Sequence, residues 1–265
     1  MQEDVSTLLQ LQLPSNPGDS NACVKGLRDA SGLLVIACVF AMAGGYMDAY
    51  AYLAHGHVFA NAQTGNVVLF SVFSSGGQWA QAARHLPPIA AFALGVAAAK
   101  LLGVRPQKRA FRATLICQAL ELVTLAVLAI VEARLPDACV VPMISFVAAI
   151  QFTSFRSIGS WSFNSAMITS NLREAISGLV LWRVGREATE NRDKAIALSL
   201  ISLFFLLGAL CGGIYTRLEE KHALAPCVAI VAAGFLLTWR KRGMQIHSLL
   251  PTGAVVGTGS SQNSE

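Results

Sequence analysis

Gly44-Gly-Tyr-Met-Asp-Ala-Tyr-Ala-Tyr-Leu-Ala-His-Gly-His-Val-Phe-Ala-Asn-Ala-Gln-Thr-Gly-Asn66 begins inside one of the most apolar parts of the chain, yet it holds an aspartate, two histidines and a Thr-Gly-Asn triplet. The surroundings explain why that is unusual. The 265 residues are 54% hydrophobic and only 13% charged, with a mean hydropathy of +0.53; a soluble domain carries roughly 25% charged residues. The composition points to an all-α polytopic membrane protein in a lipid bilayer. The net charge of +5 reads as basic loops held on the cytoplasmic side. Nucleic acid is not expected as a partner, because the charge sits in short loops between apolar runs.

A transmembrane helix needs roughly 20 apolar residues. Six runs qualify, at about 31–54, 86–104, 113–133, 138–155, 195–216 and 223–239. Two further runs do not fit well: 66–75 is short, and 165–182 carries Asn171, Arg173 and Glu174. The lysines and arginines arbitrate. With both short runs crossing, eight basic residues fall outside and 11 inside; with both re-entrant, 4 fall outside and 16 inside. Cytoplasmic loops carry the excess, so six transmembrane helices plus two short half helices is the better reading. The membrane domain is then 31–240, between a polar N-terminal tail (1–30) and a C-terminal tail (241–265). Both tails are expected to be disordered and cytoplasmic, in a protein of the cell membrane.

The second short run also follows a polar stretch, Gln151-Phe-Thr-Ser-Phe-Arg-Ser-Ile-Gly-Ser-Trp-Ser-Phe-Asn-Ser-Ala-Met-Ile-Thr-Ser-Asn171. A shift of 105 (169 minus 64) carries Thr64-Gly65-Asn66 onto Thr169-Ser170-Asn171. The order span, polar bend, short helix, span, span occurs twice, over about 31–134 and 138–240. Three full spans per copy make the copies face opposite ways, a 3+3 inverted repeat as in transporters with broken helices at the midplane. If the short runs cross, a 4+4 parallel repeat results instead. The opening stretch then reads as irregular backbone at membrane depth, tolerated where protein or a wet cavity satisfies it. Thr64 suits an N-cap of a helix over 67–74, and Gly65 permits close approach. Two such helix ends facing one cavity would suit an anion or polar solute; alternatively, the polar atoms only stitch helices together.

Gly45-Tyr-Met-Asp-Ala49, Tyr52-Leu-Ala-His-Gly-His-Val-Phe59 and Thr64-Gly-Asn66 resemble the first signature of the YoaK-like family of integral membrane proteins, domain of unknown function 1275. That pattern is Gly-(Phe/Tyr)-x-Asp-Ala, then Gly-x-x-Phe-x-x-x-x-Thr-Gly-Asn. The family's second signature, Gly-x-Gln-Asn followed by Thr-Gly-Thr-Leu-Thr, is degraded here to Ala149-Ile-Gln151-Phe152 and Thr169-Ser-Asn-Leu-Arg173. The resemblance runs from about Ser31 to Trp239 and implies a polytopic membrane fold. It supplies no substrate.

Asp48 is the leading candidate. An acid at mid-depth costs roughly 2.5–3.5 kcal/mol on insertion scales, so it should face a partner or a cavity, and an acid in that setting suits proton coupling. Tyr52 and His55, four and seven positions on, share its helical face. Glu121 sits mid-span with Gln118 and Thr114 on one face; Arg156 or the neighbourhood of Asp48 is its expected partner. Gln151 is expected to hydrogen-bond across helices. His55-Gly-His57 lacks further ligands nearby, the six cysteines follow no metal spacing, and neither a metal nor a cofactor is expected. Gly95-Val-Ala-Ala-Ala99 and Gly208-Ala-Leu-Cys-Gly212 let helices approach closely, inside the chain or in a homo-oligomer.

The residues therefore favour a transporter or channel for a small polar or anionic solute. Its expected pathway residues are Asp48, Tyr52, His55, Thr64, Gly65, Asn66, Gln118, Glu121, Gln151, Thr169 and Asn171. A membrane scaffold or sensor working through its basic loops is the alternative. An intramembrane enzyme is not expected, since no GxSxG, HExxH or P-loop is present.

Overall fold

The computed structural model describes residues 17–103, 107–154, 157–158, 161–162, 168–185, 188–219 and 222–241. Most of the expected tails (1–16 and 242–265) and the side chain of Arg156 lie outside the described residues. The chain is helical nearly throughout: α1 Pro17–Ala54, α2 Gln63–Ser75, α3 Trp79–Ala83, α4 Leu86–Gly103, α5 Gln107–Val131, a 3-10 turn Glu132–Arg134, α6 Asp137–Ser154, α7 Ile168–Arg183, α8 Ala188–Leu218 and α9 Ala225–Arg240. The described residues are all-helical, as expected, apart from one short ladder. In the second polar bend, β1 (Ser157–Ile158) and β2 (Trp161–Ser162) pair antiparallel. A two-residue ladder satisfies backbone groups there that no helix takes up.

Among the described residues, four helices are long and apolar enough to cross a bilayer: Ser31–Ala54, Trp79–Leu101, Ala113–Val131 and Asn191–Leu218. Two further apolar helices, Asp137–Thr153 and Ala225–Arg240, are shorter. Sixteen residues rise about 24 Å, less than the roughly 30 Å hydrocarbon core, which is why composition marks them and length does not. The chain departs from expectation at its start as well. Residues 17–30 continue α1 as helix, with Pro17 at its first position, where a missing N–H costs nothing.

α1 is the centre of the molecule: 67% of its span is buried, against 28–39% for the other three. Its Ile36, Phe40, Met47 and Tyr50 form the core with Leu125, Ile144 and Ile201 from three other helices and with Leu224, just ahead of α9. A helix apolar all round belongs inside. The outer helices instead turn Leu94, Leu101, Ile116, Ile130, Leu206 and Ile214 outward, a surface suited to lipid.

Helix pairing sets where the bends go. α1 packs chiefly on α8 and also on α9; α4 packs on α6; α5 on α6 and α9; α7 on α8; α2 on α4. Glycines make the two tightest crossings. A methyl group on Gly45 would overlap the Phe205 carbonyl, one on Gly208 the Met42 carbonyl, and one on Gly95 the Phe146 carbonyl. The two small-residue motifs are thus spent inside one chain, one at the α1–α8 seam and the other at the α4–α6 seam.

Candidate functional site: a cavity between two polar bends

α1 ends at Ala54 because Gly56 (φ 74°) and His57 (φ 62°) both take left-handed backbone. That conformation is easy for glycine and uncommon for histidine. The chain then runs irregularly to Ala62 before α2 begins, and its backbone donors are satisfied by two side chains. Asp48 Oδ1 accepts from the N–H groups of Asn61 (2.7 Å) and Ala62 (3.3 Å). Asn66 grips the main chain of Phe59 at both ends: its Oδ1 accepts from the Phe59 N–H (2.9 Å), and its Nδ2 donates to the Phe59 carbonyl (2.8 Å). Asn66 also meets Gln63 Oε1 and His85. From α6, Ser145 Oγ donates to the Ala60 carbonyl (2.7 Å). The bend is a built structure, anchored on α1, α2 and α6.

Two details of the expected cap are corrected. α2 starts at Gln63 rather than at 67, and its N-cap is Ala62, with no side-chain cap from Thr64. The reason is that Asp48, 13 and 14 residues upstream, already holds the donors just ahead of the helix. Thr64 lies one residue inside the helix. Gly65 sits against the Phe59 ring, 2.8 Å from where a Cβ would be, so close approach is its role.

The bend opens on a cavity of about 890 Å³. Asp48 and Tyr52 line it from α1, Thr64 from the start of α2, and Thr169, Ser170 and Arg173 from the start of α7, with Arg217 from α8. Phe59, Phe92 and Phe205 supply apolar walls. The first turns of α2 and α7 thus reach one space. A helix N-terminus carries a partial positive charge, and two arginines add to it against one carboxylate. Asp48 Oδ1 is committed to the bend. The arrangement suits a small solute with an acidic group and an apolar body.

Comparison with known proteins adds lineage to this geometry. The family described as "Protein of unknown function (DUF1275)" matches residues 36–237. The chain belongs to this family. It is also 26% identical, over 185 residues, to the UPF0700 transmembrane protein YoaK of Bacillus subtilis (strain 168), a match covering 67% of this chain and 80% of that one. No solved structure matches.

The remaining pathway candidates of this DUF1275 member fall away from the cavity. Asn66 and Asn171 are buried, and the amide of Asn66 is taken up by the bend. Gln118, Glu121 and Gln151 are almost wholly buried and do not line the cavity. Among the described residues, neither oxygen of Glu121, neither polar atom of the Gln118 amide, and not Gln151 Oε1 has a hydrogen-bond partner. Counting away from the turn between α5 and α6, Gln118 and Gln151 stand at the same depth, about 20 Å in. Glu121 lies near Cys227 of α9. The neighbourhood of Asp48, one of its two expected partners, is not where it points.

His55 also leaves the shared face expected with Asp48 and Tyr52, because the helix stops before it and the left-handed pair turns the chain. Its ring meets Tyr50 and Asp137 instead, and Tyr50 in turn meets Glu132. None of Tyr50, Glu132 and Asp137 stands out in the sequence alone. Two acids flanking the short turn after a span were the available signal.

Glu132 stands one residue past the span that ends at Val131. Burial lifts its carboxyl above the ordinary glutamate range, while the Tyr50 hydrogen bond and the nearby His55 and His222 pull the other way. The folded chain therefore holds this proton to higher pH than the unfolded chain does. Its contribution to stability is complete below the ordinary glutamate value and is lost as pH rises through the folded value. Melting temperature in detergent is expected to fall across that window in the wild type and to lose that component of the slope in Glu132→Gln. Identical pH profiles would contradict this assignment.

Proposed function

We propose that this DUF1275 protein is a transporter or channel for a small polar or anionic solute, built as a 3+3 inverted repeat with six crossings. The observation that carries the solute reading is the cavity where the first turns of α2 and α7 meet Asp48, Arg173 and Arg217. The repeat is supported by the helix pairing. Exchanging α1 with α6, α2 with α7, α4 with α8 and α5 with α9 turns the α1–α8 pair into α6–α4, α1–α9 into α6–α5, and α2–α4 into α7–α8; α5–α9 maps onto itself. The seam glycines obey the same exchange, Gly95 against Phe146 and Gly208 against Met42.

The number of crossings is supported by contacts between helix ends. Tyr50 reaches Glu132, and the Tyr46 hydroxyl donates to the Ala223 carbonyl. The ends that follow the first, third and fifth spans are therefore neighbours, as six crossings require. With eight crossings, the 132–137 turn would stand on the opposite side from His55. Thiol labelling in intact cells is expected to modify a cysteine placed at Glu219 with a membrane-impermeant reagent and to leave one placed at Gln107 untouched. Equal labelling of both would overturn the six-crossing plan.

No catalytic role is proposed. The solute reading is tested with the full chain in sealed liposomes on a solid-supported membrane, challenged in turn with inorganic phosphate, acetate and succinate. At least one of these anions is expected to evoke a current that Arg217→Gln diminishes. Currents no larger than those of empty liposomes for all three, from correctly inserted protein, would count against it.

A further inference from the structure

We propose that Glu132, Tyr50, His55 and Asp137 form a proton relay that carries one proton between a buried acid and the protein surface. The proposal stands on hydrogen-bond geometry outside the cavity and does not depend on the solute reading. The Tyr50 hydroxyl is hydrogen-bonded to Glu132 Oε2 and lies 2.8 Å from His55 Nε2; His55 Nδ1 lies 2.8 Å from Asp137 Oδ1. The line runs from the interior to the surface at its Asp137 end. Tyr50, His55 and Glu132 are all buried, whereas the Asp137 side chain is 62% exposed. Three helix ends contribute: α1, the turn after α5, and the first turn of α6.

The donors and acceptors fit this line in two opposite polarities. An ionised Asp137 only accepts, so neutral His55 places its proton on Nδ1 and presents a lone pair at Nε2. Tyr50 then donates to Nε2, and its oxygen accepts from a protonated Glu132. When the proton moves, the Glu132 O–H bond breaks as a Tyr50 O–H bond forms, and the original Tyr50 O–H bond breaks as His55 Nε2–H forms. The neutral acid and neutral imidazole become a carboxylate and an imidazolium, the latter held between Tyr50 and Asp137. The Nδ1 proton leaves through exposed Asp137 to water. The hydrogen bonds between Glu132 and Tyr50 and between Tyr50 and His55 then point the other way, and a proton returning through Asp137 to Nδ1 reverses the sequence without a ring flip. Other titratable groups face the line: His55 and His222 act on Glu132, while Tyr46 and Cys227 lie beside Tyr50. A charged His222 favours the ionised acid.

The test uses full-length protein in liposomes and infrared spectroscopy during transfer into D2O. A protonated-carboxyl band is expected that disappears in Glu132→Gln. In Tyr50→Phe, its hydrogen–deuterium exchange is expected to slow by about 100-fold. His55→Gln and Asp137→Asn, the latter a surface change, carry the same test should Tyr50→Phe not fold, and each should slow exchange. A purely structural staple would lower the melting temperature and leave the exchange rate unchanged. Unchanged exchange in the folded variants, or no Glu132 band at any pH, would overturn the relay.

Discussion

Asp48→Ala is expected to collapse the first bend, whereas Asp48→Asn keeps the bend and stops solute movement. The two substitutions separate the hydrogen-bond acceptor that Asp48 gives the bend from the acid it brings to the cavity. Oδ1 accepts from the buried main-chain donors of Asn61 and Ala62. Alanine leaves both donors without a partner, and each costs about 1–3 kcal/mol. Asparagine retains an acceptor oxygen at that place, so its melting temperature should stay near that of the wild type. What asparagine lacks is the charge and the exchangeable proton that Asp48 brings to the cavity. Anion-evoked currents are therefore expected to vanish in Asp48→Asn while the protein elutes as a single folded species. Wild-type currents in Asp48→Asn would remove Asp48 from the pathway; an unchanged melting temperature in Asp48→Ala would remove it from the bend.

Gly208→Leu is expected to abolish folded protein, and Gly95→Leu to do the same at the matching seam. At each site the first atom of any side chain meets a carbonyl of the facing helix, Met42 for Gly208 and Phe146 for Gly95. A main-chain carbonyl inside a helix has no rotamer to move into, so the two helices must separate. Overpacking of this kind costs about 3 kcal/mol or more. By contrast, Gly213, one position beyond the α1–α8 seam, has only the Leu53 side chain 3.9 Å from its Cβ position. Gly213→Ala is therefore a matched control and should elute and melt like the wild type. Fluorescence-detected size exclusion of a tagged chain reads all three. A monodisperse Gly208→Leu peak at wild-type yield would show that the α1–α8 crossing is looser than its carbonyl contacts imply.

Much of this was legible in the residues. An aspartate within an apolar run has few tolerable placements, and Asp48 lines a cavity and holds a bend. Thr64 and Thr169 stood out because a triplet recurs at a fixed shift, and both line that cavity. Other parts were hidden for physical reasons. The capping role assigned to Thr64 belongs to Asp48, since local spacing cannot reveal a side chain arriving from the preceding helix. Asn66 looked like a pathway residue because an asparagine that locks backbone and one that meets solute look alike in sequence. Tyr50 and Glu132 are 82 positions apart, and only the folding of α5 back onto the end of α1 brings them together. Glu121 showed its depth in the span but not its surroundings.

The pairing of α1 with α8 has a consequence for biogenesis. Translation completes α1 at Ala54, and α8 does not begin until Ala188. During the intervening synthesis the glycine-notched face of α1 stands in the translocon or the lipid without the helix that fills it, and α4 waits likewise for α6. The residues before α6 cannot complete their packing alone. Insertion must therefore run well ahead of tertiary assembly, and a ribosome that stalls between α6 and α8 leaves an orphaned central helix for membrane quality control to clear.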